Sequence, residues 1–288
     1  MNPNPFIVPP GQKISLSQYD PAYTGEYRHK REAREKLAAD IERLQALQDV
    51  FYAQDNYSLL IILQAPDAAG KDGAIKHVMS GVNPQGCQVF SFKQPSAEEL
   101  DHDFLWRCLK RLPERGRFGI FNRSYYEDVL IVRVHPAILA GQKLPPSRLG
   151  PDIWQNRFAD INNVEQYLAR NGTIILKFFL NLSKEEQKRR FLSRIETPEK
   201  NWKFSLADCR ERGFWDEYRA AYEDCFNHTS TDWAPWHIIP ADHKWFSRAA
   251  IADIIVKKLE SLNLAYPTLS PDKLAELERA REALLNEA

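Results

Sequence analysis

The segment Ala65-Pro66-Asp67-Ala68-Ala69-Gly70-Lys71-Asp72-Gly73 has the residue types and spacing to hold a phosphate. Its pattern follows G-x-x-x-x-G-K-[ST], in which backbone N–H groups and a lysine cradle phosphates at a helix N-terminus. Gly70 lets the backbone approach an anion closely, and Lys71 places a point charge on it. Ala68, Ala69, Asp72 and Gly73 complete the expected cradle. Two positions depart: Ala65 stands in the first glycine position, and Asp72 in that of the hydroxyl residue that would ligate Mg²⁺. Asp67 would repel phosphate unless a cation lay between them. It therefore reads as a Mg²⁺ ligand or as an orienter of an acceptor phosphate. The plainer alternative for Asp67 is an Asx-turn residue capping the helix.

A second constellation is Phe121-Asn122-Arg123-Ser124-Tyr125-Tyr126-Glu127-Asp128. Where an apolar strand ends beside a phosphate loop, a nucleotide kinase usually keeps the acid that orients its metal. Here that position is Asn122, with Glu127 and Asp128 close behind as candidate carboxylates. Arg123 can bind phosphate through two parallel hydrogen bonds, against a surface ion pair as the bland reading. The third constellation is basic: Lys184, Lys188, Arg189, Arg190 and Arg194, then Lys200, Trp202 and Lys203. Such a run is most often a solvated helix face. It follows the fourth strand, however, where nucleoside monophosphate kinases insert a lid bearing arginines. Lys76, His77, Lys93, Arg133 and Lys203 could extend a positive track outward from the loop.

The elements that must position these residues alternate along the chain. Ala33, Leu37, Ile41, Leu44, Leu47 and Phe51 form the stripe of an amphipathic helix over 28–54, after an extended arm at 1–27. Strands are expected at 58–64, 86–92, 117–122, 173–180 and 236–240. Helices fall at 70–79, after Ser96, and over 152–170, 184–195, 205–228 and 246–262. Ser96 with Glu99 and Ser183 with Glu186 read as capping boxes. A last helix starts at Ser270 and Pro271. This order predicts an α/β fold, a three-layer α/β/α arrangement with five parallel strands and a helical lid over about 183–212. A single domain is expected over 1–288: arm and helix 1–57, core 58–265, C-terminal helix 266–288. The 288 residues carry 39 Lys+Arg and 39 Asp+Glu, so the neutral total argues against a dedicated nucleic-acid binder. The longest strongly apolar run, Leu59–Leu63, is far short of a membrane span, and no secretory signal is visible. Four scattered cysteines read as reduced, mostly buried thiols of a cytoplasmic protein.

Taken together, APDAAGKDG, VNPQG, FNRSYYEDVL, LKFFLNLSKEEQKRRF, TPEKNWKFS and TSTDWAPWHIIPADHKW resemble the family-2 polyphosphate kinases, over about residues 15–265. Asn122 and the single-domain length resemble the branch that phosphorylates both AMP and ADP. The resemblance implies a P-loop kinase fold and Mg²⁺, with Mn²⁺ as a substitute. It implies inorganic polyphosphate as donor, an adenine or guanine nucleotide as acceptor, and a homodimer or homotetramer. It makes Asp67 and Lys71 the essential loop residues, Arg123 the arginine after the second motif, and Arg190 and Arg194 lid arginines. Which carboxylate joins Asp67 on the metal, Glu127 or Asp128, stays open. The expected chemistry is in-line phosphoryl transfer without a covalent enzyme intermediate. The rival readings are an ATP-dependent nucleoside monophosphate kinase and a non-catalytic P-loop regulator.

Overall fold

Strand β1 (Ser58–Gln64) is buried at all seven positions, which a run as apolar as SLLIILQ demands. A computed structural model describes this protein over residues 4–27 and 29–287. Strands β2 (Cys87–Ser91), β3 (Phe118–Asn122), β4 (Thr173–Asn181) and β5 (Trp236–Pro240) join β1 in one sheet of order β2-β3-β1-β4-β5. All four pairings are parallel, as expected from the strand–helix alternation. The order reverses at β1, between β3 and β4. A crevice opens there beyond the carboxyl ends of the strands, the usual ligand position in open α/β sheets.

Successive side chains of a strand leave in opposite directions, so β1 serves two cores. Leu59, Ile61 and Leu63 pack with Leu44, Leu47 and Phe51 of helix α1 (Lys30–Gln54) and Ala74 and Val78 of α2 (Lys71–Val78). Ile251, Ile255 and Leu259 of a later helix over Lys244–Glu260 close that layer. Leu60 and Ile62 pack on the other face against Phe158 and Ile161 of α3 (Ile153–Arg170). Between β4 and β5 the chain forms α4 (Lys184–Glu196), a tight turn over Pro198–Lys203, a short helix Leu206–Glu211 and α5 (Trp215–Thr229). The helix after β5 is α6 (Lys244–Glu260), and α7 is Pro271–Leu285, with no buried residue.

Two sequence expectations change, and a third falls outside the described residues. Arg28, where the first helix was expected to start, lies outside the described residues; α1 is described from Lys30. The helix expected after Ser96 is two short ones, Ala97–Leu100 and Trp106–Leu109. Asp103 breaks it: its carboxylate accepts the Leu105 N–H at 2.9 Å, a local bond that competes with helix continuation. The capping box at Ser183 is only half formed. Ser183 Oγ accepts the Glu186 N–H, but the Ser183 N–H goes to Asp242 Oδ1 at 2.8 Å while Glu186 pairs with arginines. The arm is anchored: Phe6, Val8 and Leu16 are buried, and Ile7 bridges antiparallel to His237, covering the β5 edge.

Candidate active site

The loop between β1 and α2 is folded against ordinary alanine preferences. Ala68 is left-handed at φ +63° and Gly70 at φ +112°. Glycine accepts this conformation freely and alanine does not, so neighbours must hold Ala68 in place. Alternating left-handed residues turn backbone N–H groups into an anion-binding concavity. Lys71 opens α2, half-buried, and its ammonium donates to the Ala65 carbonyl at 3.0 Å. Burial, then the nearby Arg123 charge, lowers its pKa to about 8, against the opposing pull of Asp67, Glu127 and Asp72.

Arg123 leaves the end of β3 in a left-handed conformation, its N–H on the Leu63 carbonyl at 3.0 Å. Its guanidinium lies between two carboxylates, Asp67 Oδ1 at 3.1 Å and Glu127 Oε2 at 3.5 Å. Those acids hold its pKa above the ordinary value, Glu127 most strongly. Gln64 at the end of β1, with its amide turned to satisfy both neighbours, donates to Glu127 Oε1 at 2.8 Å. Asn122 donates to Asp72 Oδ1 at 2.7 Å, tying the end of β3 to the first turn of α2.

Below this turn lies a polar cluster that the sequence reading missed. Lys177 on β4 and Glu165 on α3 form a fully buried pair at 2.6 Å. Glu165 Oε1 accepts both the Tyr125 and Tyr126 hydroxyls at 2.8 Å, and Lys177 also donates to the Thr229 carbonyl. A lone lysine in TIILKFFL and a glutamate on the apolar face of α3 were the available signals. The cluster fixes the tyrosines immediately before Glu127.

A cleft of about 630 Å³ faces the loop. It is lined by Asp67 through Gly73, Asn122 and Arg123, and by Lys93, Arg194 and Lys203 from the expected track. Lys244 and Arg248 of α6 also line it. They were missed because a helix start after β5 carries no phosphate-binding pattern. Burial, then the Arg190 charge, lowers the pKa of both. Trp202 stands at the cleft, 78% exposed. A second, more apolar cavity adjoins Asp67 and Arg123 and is walled by Phe179, Leu182, Trp215, Tyr218 and Tyr222.

Other expected residues lie elsewhere. Lys76 and His77 are exposed on α2 and do not line the cleft. Arg133 is turned away from the loop, paired with Asp224 of α5 and over the Trp154 ring. Asp128 is buried with its carboxylate on Gln142 Nε2 at 2.6 Å and Arg157 at 4.0 Å, and burial raises its pKa to about 6. Its carboxylate is held by Gln142 and Arg157, whereas that of its neighbour Glu127 faces Arg123. Arg190 is the largest correction. Its guanidinium bonds backbone carbonyls of the loop and of residues 241–242, which leaves it no donor for a phosphate.

Among the described residues no three acids, histidines or cysteines form a ready-made metal cage. Asp67 and Glu127 flank the Arg123 guanidinium, and of the two Asp67 opens to the cleft, its side chain 33% exposed. One or two carboxylates completed by substrate phosphates suit a hard divalent cation that keeps much of its water.

Known proteins are similar to this chain in sequence and fold. A family model described as Polyphosphate kinase 2 matches residues 27–266. An ADP-polyphosphate phosphotransferase of Rhodopseudomonas palustris is 52% identical over 281 residues, 97% of each chain. An AMP/ADP-polyphosphate phosphotransferase of Meiothermus ruber is 43% identical over 263 residues, covering 91% of this chain and 94% of the relative. The crystal structure of polyphosphate kinase 2 from Arthrobacter aurescens superposes with a TM-score of 0.88 at 40% identity, over 98% of this chain and 97% of that one.

Proposed function

The chain belongs to the polyphosphate kinase 2 family, and on that premise we propose that it transfers terminal phosphoryl groups between inorganic polyphosphate and AMP or ADP. One observation carries the reading: the anion-binding loop faces a cleft lined by Lys93, Arg194, Lys203, Lys244 and Arg248. That row of cations extends beyond the loop and suits a polymeric anion.

The residues divide the work. The loop amides and Lys71 hold the transferred group. Arg123, fixed between Asp67 and Glu127, gives its charge to phosphate oxygens as negative charge shifts during transfer. Asp67, open to the cleft, would hold Mg²⁺, or Mn²⁺ in its place, and the ion would neutralise phosphate oxygens, while Glu127 stays on Arg123. Asp128 takes no part in that ligation. Asp72, held by Asn122, stands where an ATP-type loop has its hydroxyl ligand. Positioning and preorganised charge suffice, so no side-chain nucleophile enters.

The same reading places the protein in the cytoplasm with its nucleotide substrates, acting as a homodimer or homotetramer. No helix among the described residues is long and apolar enough to cross a membrane. The test is incubation of ADP, and separately AMP, with long-chain polyphosphate and Mg²⁺, with products separated by chromatography. ATP and ADP respectively are expected. Efficient ATP-driven phosphorylation of a nucleoside monophosphate, with no turnover of polyphosphate, would replace the reading with an ATP-dependent kinase.

A further inference from the structure

A guanidinium has five N–H donors in a rigid plane. At Arg190 every one is spent within the protein. Nε donates to Glu186 Oε1 at 2.7 Å. Nη1 donates to the carbonyls of Ala68 at 2.9 Å and Ala69 at 2.7 Å. Nη2 donates to the carbonyls of Ala241 at 2.6 Å and Asp242 at 3.0 Å. The side chain is 7% exposed. One buried residue of α4 therefore fastens the phosphate loop to the segment that follows β5.

The first of the two loop carbonyls it grips belongs to the strained residue itself, and the carbonyl on its other side, that of Asp67, accepts from Gln187 Nε2 at 3.0 Å on the same helix. Ala68 is left-handed, a conformation disfavoured for a residue with a Cβ by roughly 5- to 30-fold. In a trans peptide the C=O of one residue and the N–H of the next point in opposite directions. Drawing the Ala69 carbonyl toward Arg190 turns the Gly70 N–H away from it. The second fastening is itself braced, since Asp242 Oδ1 accepts the Ser183 N–H and the Asp242 N–H donates to the Pro21 carbonyl. Arg194, four residues along α4, lines the cleft instead, so this helix supports the loop and contributes to its far wall.

We infer that Arg190 is a positioning residue that holds Ala68 in its left-handed conformation, and so keeps the loop amides set for phosphate, without itself touching substrate. The inference rests on the phosphoryl-transfer reading for its kinetic readout. Its logic is tested by giving the loop a residue that needs no holding. Arg190→Lys keeps the charge but cannot make the forked contact to both carbonyls. In the wild-type background it is expected to lower kcat for ATP formation by ~10²-fold, the scale of a small misplacement of reacting groups. In an Ala68→Gly background the left-handed conformation is free, and the same substitution is expected to cost at least about fivefold less.

Both backgrounds are assayed at a temperature where circular dichroism shows fully folded protein. An equal Arg190→Lys penalty in the two backgrounds would overturn the inference, as would a lower Tm with unchanged kcat, because either outcome places the role outside Ala68. Should Arg190→Lys fail to fold, Glu186→Ala loosens the guanidinium from its other side, and the same cycle is run with it. Tripolyphosphate binding by calorimetry is measured in parallel on all four proteins. Wild-type protein that binds tripolyphosphate but forms no ATP from ADP would refute the functional reading alone. The binding cycle would then decide the Arg190 inference by the same fivefold criterion.

Discussion

Lys71 supplies a prediction in which activity and stability move in opposite directions with pH. Its pKa is lowered from 10.5 to about 8, by burial first and then by the Arg123 charge. The free enzyme therefore loses the ammonium as pH rises through about 8. kcat/KM for polyphosphate, which reports free-enzyme ionisations, should fall ~10-fold for each further pH unit. Bound phosphate favours the charged form, so kcat at saturation should stay flat over the same range. Stability takes the other sign. Between about 8 and 10.5 the unfolded chain keeps a proton that the folded protein has released, so folding gains as pH rises. The full depression corresponds to about 3 kcal/mol at 1.36 kcal/mol per unit, an order-of-magnitude figure for a half-buried group. Lys71→Met removes the group from both measurements. Urea melts of wild type and Lys71→Met should thus diverge in favour of wild type from pH 8 upward. A kcat/KM that stays level to pH 10, or melts that run parallel, would refute the account of a desolvated, phosphate-holding lysine.

Three other expectations can be checked directly. Asp67→Asn should cut turnover by about 10²–10³ while Tm is unchanged; near-normal turnover in folded protein would remove Asp67 from the site. Asp128→Asn should leave turnover within a few-fold, and a loss matching that of Asp67→Asn would return Asp128 to the metal. Its carboxyl is raised to about 6, so wild type should gain stability over this variant as pH falls from about 6 toward 4. Lys177→Met strands the buried Glu165 charge and should destabilise by about 3–5 kcal/mol in urea melts, with a loss under about 1 kcal/mol contradicting the pairing.

The sheet was legible because strands such as SLLIILQ and TIILKFFL are buried on both faces and leave an apolar run that no turn can carry. The loop was legible because Gly70 and Lys71 sit at fixed spacing between a strand and a helix. Side-chain direction was not. Neighbouring Glu127 and Asp128 look equivalent in sequence, yet the turn aims one at Arg123 and buries the other against Gln142. Arg190 and Arg194 look like a matched pair on one helical face, yet the first ends on backbone carbonyls and the second in the cleft. Lys244 and Arg248 reach the loop only because β5 lies two places from β1 in the sheet. That is a long-range fact with no local trace.

The N-terminal arm sets an order for the chain's assembly. Its bonds to the rest of the chain run to residues made late in synthesis. The Ser230 hydroxyl donates to the Val8 carbonyl across 222 positions, the Ile14 N–H to Asn227 across 213, and the Leu16 N–H to Glu223 across 207. Closing such spans costs chain entropy that no local contact offsets beforehand. The arm must therefore wait on a nascent chain until β5 has left the ribosome. The Pro21 carbonyl that steadies Asp242 arrives with it. The back wall of the phosphate loop is thus completed by a segment translated long before it can dock.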